Sequence, residues 1–256
     1  MSSSSKSREN TPPYTSEGGL HLVVDFAWSK FRNTVSEKNG DYTKPLYIQH
    51  FRPTKPQLRF ETVANGENFA TGIIHNFQIQ GDCTIRGHDI HIKPLKRLKT
   101  QYNYLSRAFA TPEKPRGVPI TWKASCNLKR WNFICFDEAQ NAIAKFALNV
   151  WGVKEVGNLY FEKPKELISD EVRDEVVVTA LTIVYVMITR VNNPLNLIGA
   201  AFAKPGKVDT LEEDVSPERT PVAAPTDTKE VANKTGAAET AAPIGSAGKM
   251  DDGVIR

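Results

Sequence analysis

Cysteine is scarce in this chain. Cys83, Cys126 and Cys135 are the three present among 256 residues. Their odd number argues against a disulfide framework, and their spacing fits no zinc motif. They read as small buried residues of a reducing compartment. The signatures of nucleophilic and phosphate chemistry are missing too. There is no G-x-S-x-G elbow and no clear Cys/His pairing. The Gly-containing stretch NGENFATG (65–72) lacks the Lys-Ser/Thr of a phosphate-binding loop. The expectation is a non-enzymatic protein that needs no cofactor. MSSSSKSRENTPPYTSEGG at the start holds no apolar core for a signal peptide, so the chain is expected to be cytoplasmic. Beyond residue 203 there is no Phe, Tyr or Trp. Residues 1–17 and 204–256 are therefore expected to be disordered, because they cannot bury enough surface to offset ordering.

What is present is a body of uneven charge. Residues 86–130 hold eleven Lys/Arg against Asp89 and Glu113, a net of +9, while residues 208–256 hold ten acids and five bases, a net of −5. An anionic partner should meet the body. Within the basic segment, KPLKRLK supplies Lys93, Lys96, Arg97 and Lys99, and Arg107 follows after Tyr102 and Tyr104. Each base near an anionic membrane contributes about 1 kcal/mol, so these five are the candidate headgroup ligands. A solvated loop would have the same composition. Nucleic acid would feel the same field, but no nucleic-acid-binding motif shapes a reading face, and such a partner is not expected. His88 and His91 stand at i and i+3 of a strand-like run, on opposite faces, so no metal is expected there. Trp28, Trp122, Trp131 and Trp151 are spread over successive candidate strands, as core or rim residues would be.

Short β-branched or aromatic runs separated by Gly, Pro, Asn and Asp recur along the body. They cover 20–28, 45–51, 57–63, 69–79, 83–92, 118–126, 131–137, 143–151 and 158–162. In VPITWKASC, residues Ile120, Trp122, Ala124 and Cys126 alternate with polar neighbours, the pattern of a half-buried antiparallel strand. NLKR and DEAQN supply turns between this strand and the next two, which suits hairpins rather than βαβ units.

One segment breaks the pattern. Val176 to Ile188 is a thirteen-residue, almost wholly apolar run. It is short of the ~20 residues that span a bilayer and more than twice an ordinary strand of about 5–6 residues. Ser169-Asp170-Glu171 before it and Arg190 and Asn192-Asn193-Pro194 after it are helix start and stop signals. A helix over about 169–190 follows, and a helix apolar on every side must be surrounded. A sheet closed round it does this and also removes exposed strand edges.

The order ITWKASCNLKRWNFICFD, IAKFALNVW, VGNLYF and DEVVVTALTIVYVMITR resembles the tubby C-terminal-like superfamily, above all fungal members in which a Trp-led strand precedes paired strands and a hydrophobic helix ends the domain. The resemblance covers about residues 18–203. It implies a closed antiparallel β-barrel of about a dozen strands enclosing the hydrophobic C-terminal helix. It also implies a kinship with phospholipid scramblases and LURP-one-related proteins. Tubby proteins bind phosphoinositides through a basic patch and act as adaptors, which makes anionic phospholipid the expected partner. The missing Cys cluster puts lipid scrambling in doubt. Two alternatives remain: a scramblase-like or tail-anchored membrane protein using 176–203, and a protein-interaction module whose acidic tail recruits partners or folds back on the basic face.

Overall fold

A computed structural model describes residues 18–75, 79–95, 100–126, 130–149 and 154–192. The terminal segments expected to be disordered, the acidic tail with its expected partners, Trp151, and the basic residues Lys96, Arg97 and Lys99 lie outside them. So do residues 193–203 of the 176–203 stretch invoked for a membrane anchor. For Trp28 and Cys126 only the backbone is described.

Twelve strands follow one another: β1 (His21–Ala27), β2 (Arg32–Asn39), β3 (Tyr42–Phe51), β4 (Leu58–Thr62), β5 (Asn68–His75), β6 (Gln80–Ile85), β7 (His88–Pro94), β8 (Gln101–Ser106), β9 (Val118–Cys126), β10 (Arg130–Phe136), β11 (Ala142–Asn149) and β12 (Glu155–Phe161). Each pairs antiparallel with its sequence neighbours, and β1 pairs with β12 as well as β2, so the sheet closes. Closure gives each strand two partners and leaves no edge to template association. A helix, α1 (Asp170–Asn192), follows the last strand.

Alternation places the core. On β9 and β10, Ile120, Trp122, Phe133 and Cys135 are buried, and on β11 and β12 Ala144, Phe146, Leu148, Leu159 and Phe161 are buried. These side chains meet α1, whose Val176 to Val178, Ala180, Leu181, Ile183, Val184, Val186 and Met187 are all buried. Thr179 and Thr182 in the same run are fully buried. Burial on all sides means that the helix is enclosed rather than laid on a surface. Contacts from around the wall agree. Trp122 Nε1 of β9 donates to Thr179 Oγ1 at 3.3 Å, and Cys83 of β6 bonds Thr182 Oγ1 at 3.3 Å. Tyr102 of β8 reaches Met187 Sδ at 3.5 Å, and Asn33 of β2 donates to Tyr185 Oη at 3.0 Å. Ser169 caps the helix by accepting from the Val172 amide at 3.3 Å, with Asp170 and Glu171 in the first turn and Arg190 in the last.

Three differences separate the strands from the sequence reading. The run 83–92 is a hairpin rather than one strand, because Arg86 and Gly87 both take positive φ (48° and 82°), the geometry of a two-residue turn that glycine makes cheap. The run 69–79 stops as a strand at His75, and Ile79, at φ 53°, leads into β6. β2 and β8 were not among the nine candidate runs. β2 reads RNTVSEKN, and its inward Asn33 is polar but bonded to Gln49 Oε1 at 2.5 Å, so a hydrophobic alternation never forms in the sequence.

Candidate functional site

An up-and-down barrel has two ends, and here they differ in charge. The connections at one end are 28–31, 52–57, 76–79, 95–100, 127–129 and 150–154. By sequence they carry eight bases, Lys30, Arg52, Lys55, Lys96, Arg97, Lys99, Lys129 and Lys154, and no acid. Strand ends beside them add Arg32, Arg59, Lys93 and Arg130 against Asp25 and Glu155. At the other end the connections are 40–41, 63–67, 86–87, 107–117, 137–141 and the link 162–169 into α1. They carry six bases, Arg86, Arg107, Lys114, Arg116, Lys163 and Lys165, against seven acids, Asp41, Glu67, Glu113, Asp137, Glu138, Glu162 and Glu166. By sequence the first set of connections sums to +8 and the second to −1; Lys30, Arg52, Lys55 and Lys154 of the first set are among the described residues, and Lys96, Arg97, Lys99 and Lys129 lie outside them.

The basic mouth is built by tight connections. A 3-10 turn at Trp28–Lys30 leads to Phe31, and the Phe51 amide donates to the Phe31 carbonyl at 3.1 Å, holding the β1–β2 and β3–β4 connections together. The Arg52 amide donates to the Gln57 carbonyl at 2.7 Å and closes the second of these. Lys30, Arg52, Lys55 and Lys154 are exposed. The same two connections carry Phe31, 60% exposed, and adjoin Phe51, 38% exposed and stacked on Tyr185 of α1 at 5.5 Å.

The opposite mouth is sealed by a polar network. Asp174, 1% exposed, accepts from Arg86 Nη2 at 2.7 Å, Arg86 Nε at 3.0 Å and Tyr47 Oη at 2.6 Å. Arg173 Nε donates to Tyr47 Oη at 2.5 Å. Burial and the neighbouring Asp174 carboxylate push the Tyr47 phenol well above its ordinary range. Glu175 accepts from the Ala108 amide at 3.3 Å, yet its Oε1 is buried without a partner. Burial raises its pKa, opposed by bonds from Ser106 and Ala108. This charge is neutralised internally, which leaves little to offer an external anion. The groove beside it, about 420 Å³, is lined by Glu67, Phe69, Thr84 and Arg86 among others, and its one base is already bound to Asp174.

The five residues singled out from sequence do not form one patch. Lys93 is the penultimate residue of β7, at the basic mouth, and the sequence joining β7 to β8 carries Lys96, Arg97 and Lys99, which lie outside the described residues. Arg107 follows the far end of β8, four residues beyond the Asn103 that pairs with Lys93, a displacement of about 13 Å along the strand. It lies at the near-neutral mouth, 3.2 Å from His88 Nδ1. Linear proximity misled here because a hairpin returns the chain to the opposite end. Conversely, Lys30, Arg52 and Lys55 are remote in sequence from Lys93 and share an end of the barrel with it only through the strand order. The signal available was the charge of alternate connections.

Neither described thiol suits catalysis. Burial pushes Cys83 up to about 12 and raises Cys135 well above the ordinary range, so neither is a thiolate at neutral pH. His91 bonds Asp82 Oδ1 at 2.9 Å and His75 bonds Asp82 Oδ2 at 2.6 Å across the outer face of β5–β7, while His88 meets Arg107 instead. Among the described residues, no group of three or more His, Cys, Asp or Glu could hold a metal ion, and no helix is long and apolar enough to cross a membrane. No protein-family model matches the chain, and no curated protein or solved structure matches it either.

Proposed function

We propose that this chain is a non-enzymatic, tubby-like module that binds the anionic phospholipid surface of a membrane peripherally, through the basic mouth of its barrel. The observation that carries the reading is the segregation of charge: the described residues of the connections at one end hold Lys30, Arg52, Lys55 and Lys154 and no acid, and the sequence of those connections adds four more bases and no acid, against near balance at the other end. Basic side chains gathered at one end complement a plane of anionic headgroups, and the cytoplasmic leaflet is where anionic lipid attracts them. Phosphoinositides, with several charges per headgroup, are the favoured class.

Flotation of the full chain with vesicles of phosphatidylcholine alone, or with added phosphatidylserine or phosphoinositide, tests this at low and physiological salt. Binding is expected to the anionic vesicles only and to weaken with salt. Lys30→Gln with Lys55→Gln removes about 2 kcal/mol of attraction, roughly thirtyfold in affinity. Arg107→Gln at the other end is expected to leave binding unchanged. Salt-independent binding, or equal loss in both variants, refutes the assignment of the mouth.

A further inference from the structure

We infer that Phe31 is a membrane-inserting wedge, so that the basic mouth docks on a bilayer rather than on free headgroups or other polyanions; the inference rests on the membrane reading above. Phe31 carries two separate costs. The residue is 60% exposed, and its backbone sits at φ 46°, a left-handed conformation that is an outlier for a bulky residue. The other non-glycine residues with positive φ among those described are Ile79, Arg86 and Gln140, and each has a compensation. Ile79 is buried in the core. Arg86 grips Asp174 with two bonds. The Gln140 amide and side chain both bond to the Asp137 carbonyl, and its side chain accepts from Lys123. Phe31 gains only partial burial.

Strain kept at an exposed aromatic points from structure toward function. Phe31 follows Lys30 in the chain, and its carbonyl is tied to the amide of Phe51, itself 38% exposed and followed by Arg52. Bases at the headgroup plane with aromatic rings beyond them make the arrangement by which interfacial segments enter the acyl boundary. A nucleic acid would meet the same charge and could stack on the ring. The second exposed apolar side chain in the pair favours the bilayer.

Phe31→Asn separates these possibilities, because asparagine tolerates left-handed backbone. Full-length protein is compared on phosphatidylcholine/phosphoinositide vesicles and on soluble inositol hexakisphosphate. The variant is expected to keep or raise its melting temperature and to bind the soluble polyanion as wild type does. Its binding to vesicles is expected to weaken about tenfold. Phe31→Trp is expected to restore vesicle binding and to show a blue-shifted added emission on vesicles alone.

Vesicle binding unchanged in Phe31→Asn, while Lys30→Gln with Lys55→Gln still weakens it, overturns insertion and leaves the electrostatic reading standing. A fall in melting temperature together with loss of both ligands marks Phe31 as structural and also overturns it. Wild-type protein that ignores anionic vesicles, or prefers single-stranded nucleic acid to them, overturns both readings together.

Discussion

Two glycines on the barrel wall allow α1 to lie inside it, and Gly81 offers the sharpest test. A Cβ built on Gly81 of β6 would stand 2.8 Å from Thr182 Cγ2, 3.4 Å from Val186 Cγ2 and 3.4 Å from the Ile73 carbonyl oxygen. The first distance is well inside contact, and both partners are buried in the middle of the enclosed helix. Gly81→Ala therefore overpacks the core, at a cost of about 1–3 kcal/mol. With a folded body of this size, 1 kcal/mol shifts the melting temperature by about 2–4 °C, so a fall of roughly 4–8 °C is expected for a cost near the middle of the range. Thr182→Ser deletes the methyl group that causes the clash while keeping the hydroxyl bonded to Cys83. Alone it loses a buried methyl, about 1 kcal/mol. Combined with Gly81→Ala it makes room for the new Cβ, so the double variant should be more stable than the sum of the singles by about 1 kcal/mol or more. Thermal denaturation of the four proteins followed by far-ultraviolet circular dichroism measures this. Strict additivity would refute the contact between β6 and α1 and with it the enclosed helix.

Two further predictions concern the sealed mouth. The folded-state pKa of Glu175 is raised by burial, so the folded state holds its proton to higher pH than the unfolded state. Stability from this group is present below its unfolded pKa and is lost as pH rises through the folded value. Glu175→Gln should thus leave stability unchanged in acid and raise it at neutral pH, and a difference in melting temperature that shrinks with rising pH would contradict this. Arg86→Met leaves Asp174 buried with Tyr47 as its remaining donor, at a cost of about 3 kcal/mol in urea unfolding. Adding Asp174→Asn should recover part of that loss, and no recovery would mean that the pair is not what holds the carboxylate.

The legibility of this protein varied by element. The helix could be read closely: 169–190 expected, Asp170–Asn192 found, because its cap, first-turn acids and terminal Arg act locally and its apolar run admits few alternatives. β9 was legible for the same reason, with Ile120 and Trp122 inward as their alternation requires. β2 was not, since its inward position is the polar Asn33, whose amide nitrogen donates to Gln49 and Tyr185, partners sixteen and 152 residues away. The expectation of about a dozen strands rested on a family resemblance; single runs suggested nine, because β2 and β8 were not among them and the Arg86-Gly87 turn lies inside the run 83–92.

For the candidate site, sequence determined the inventory of charge and the presence of one helix that had to be enclosed. Only the closed sheet decided which charges share a surface. Antiparallel strands send alternate connections to opposite ends, so Lys93 and Arg107, close in the chain, are parted, while Lys30, Arg52 and Lys55 face the same side as Lys93. Composition and local signals are carried by neighbours along the chain. The sign of a surface is carried by neighbours across space, which pairing register and barrel closure create.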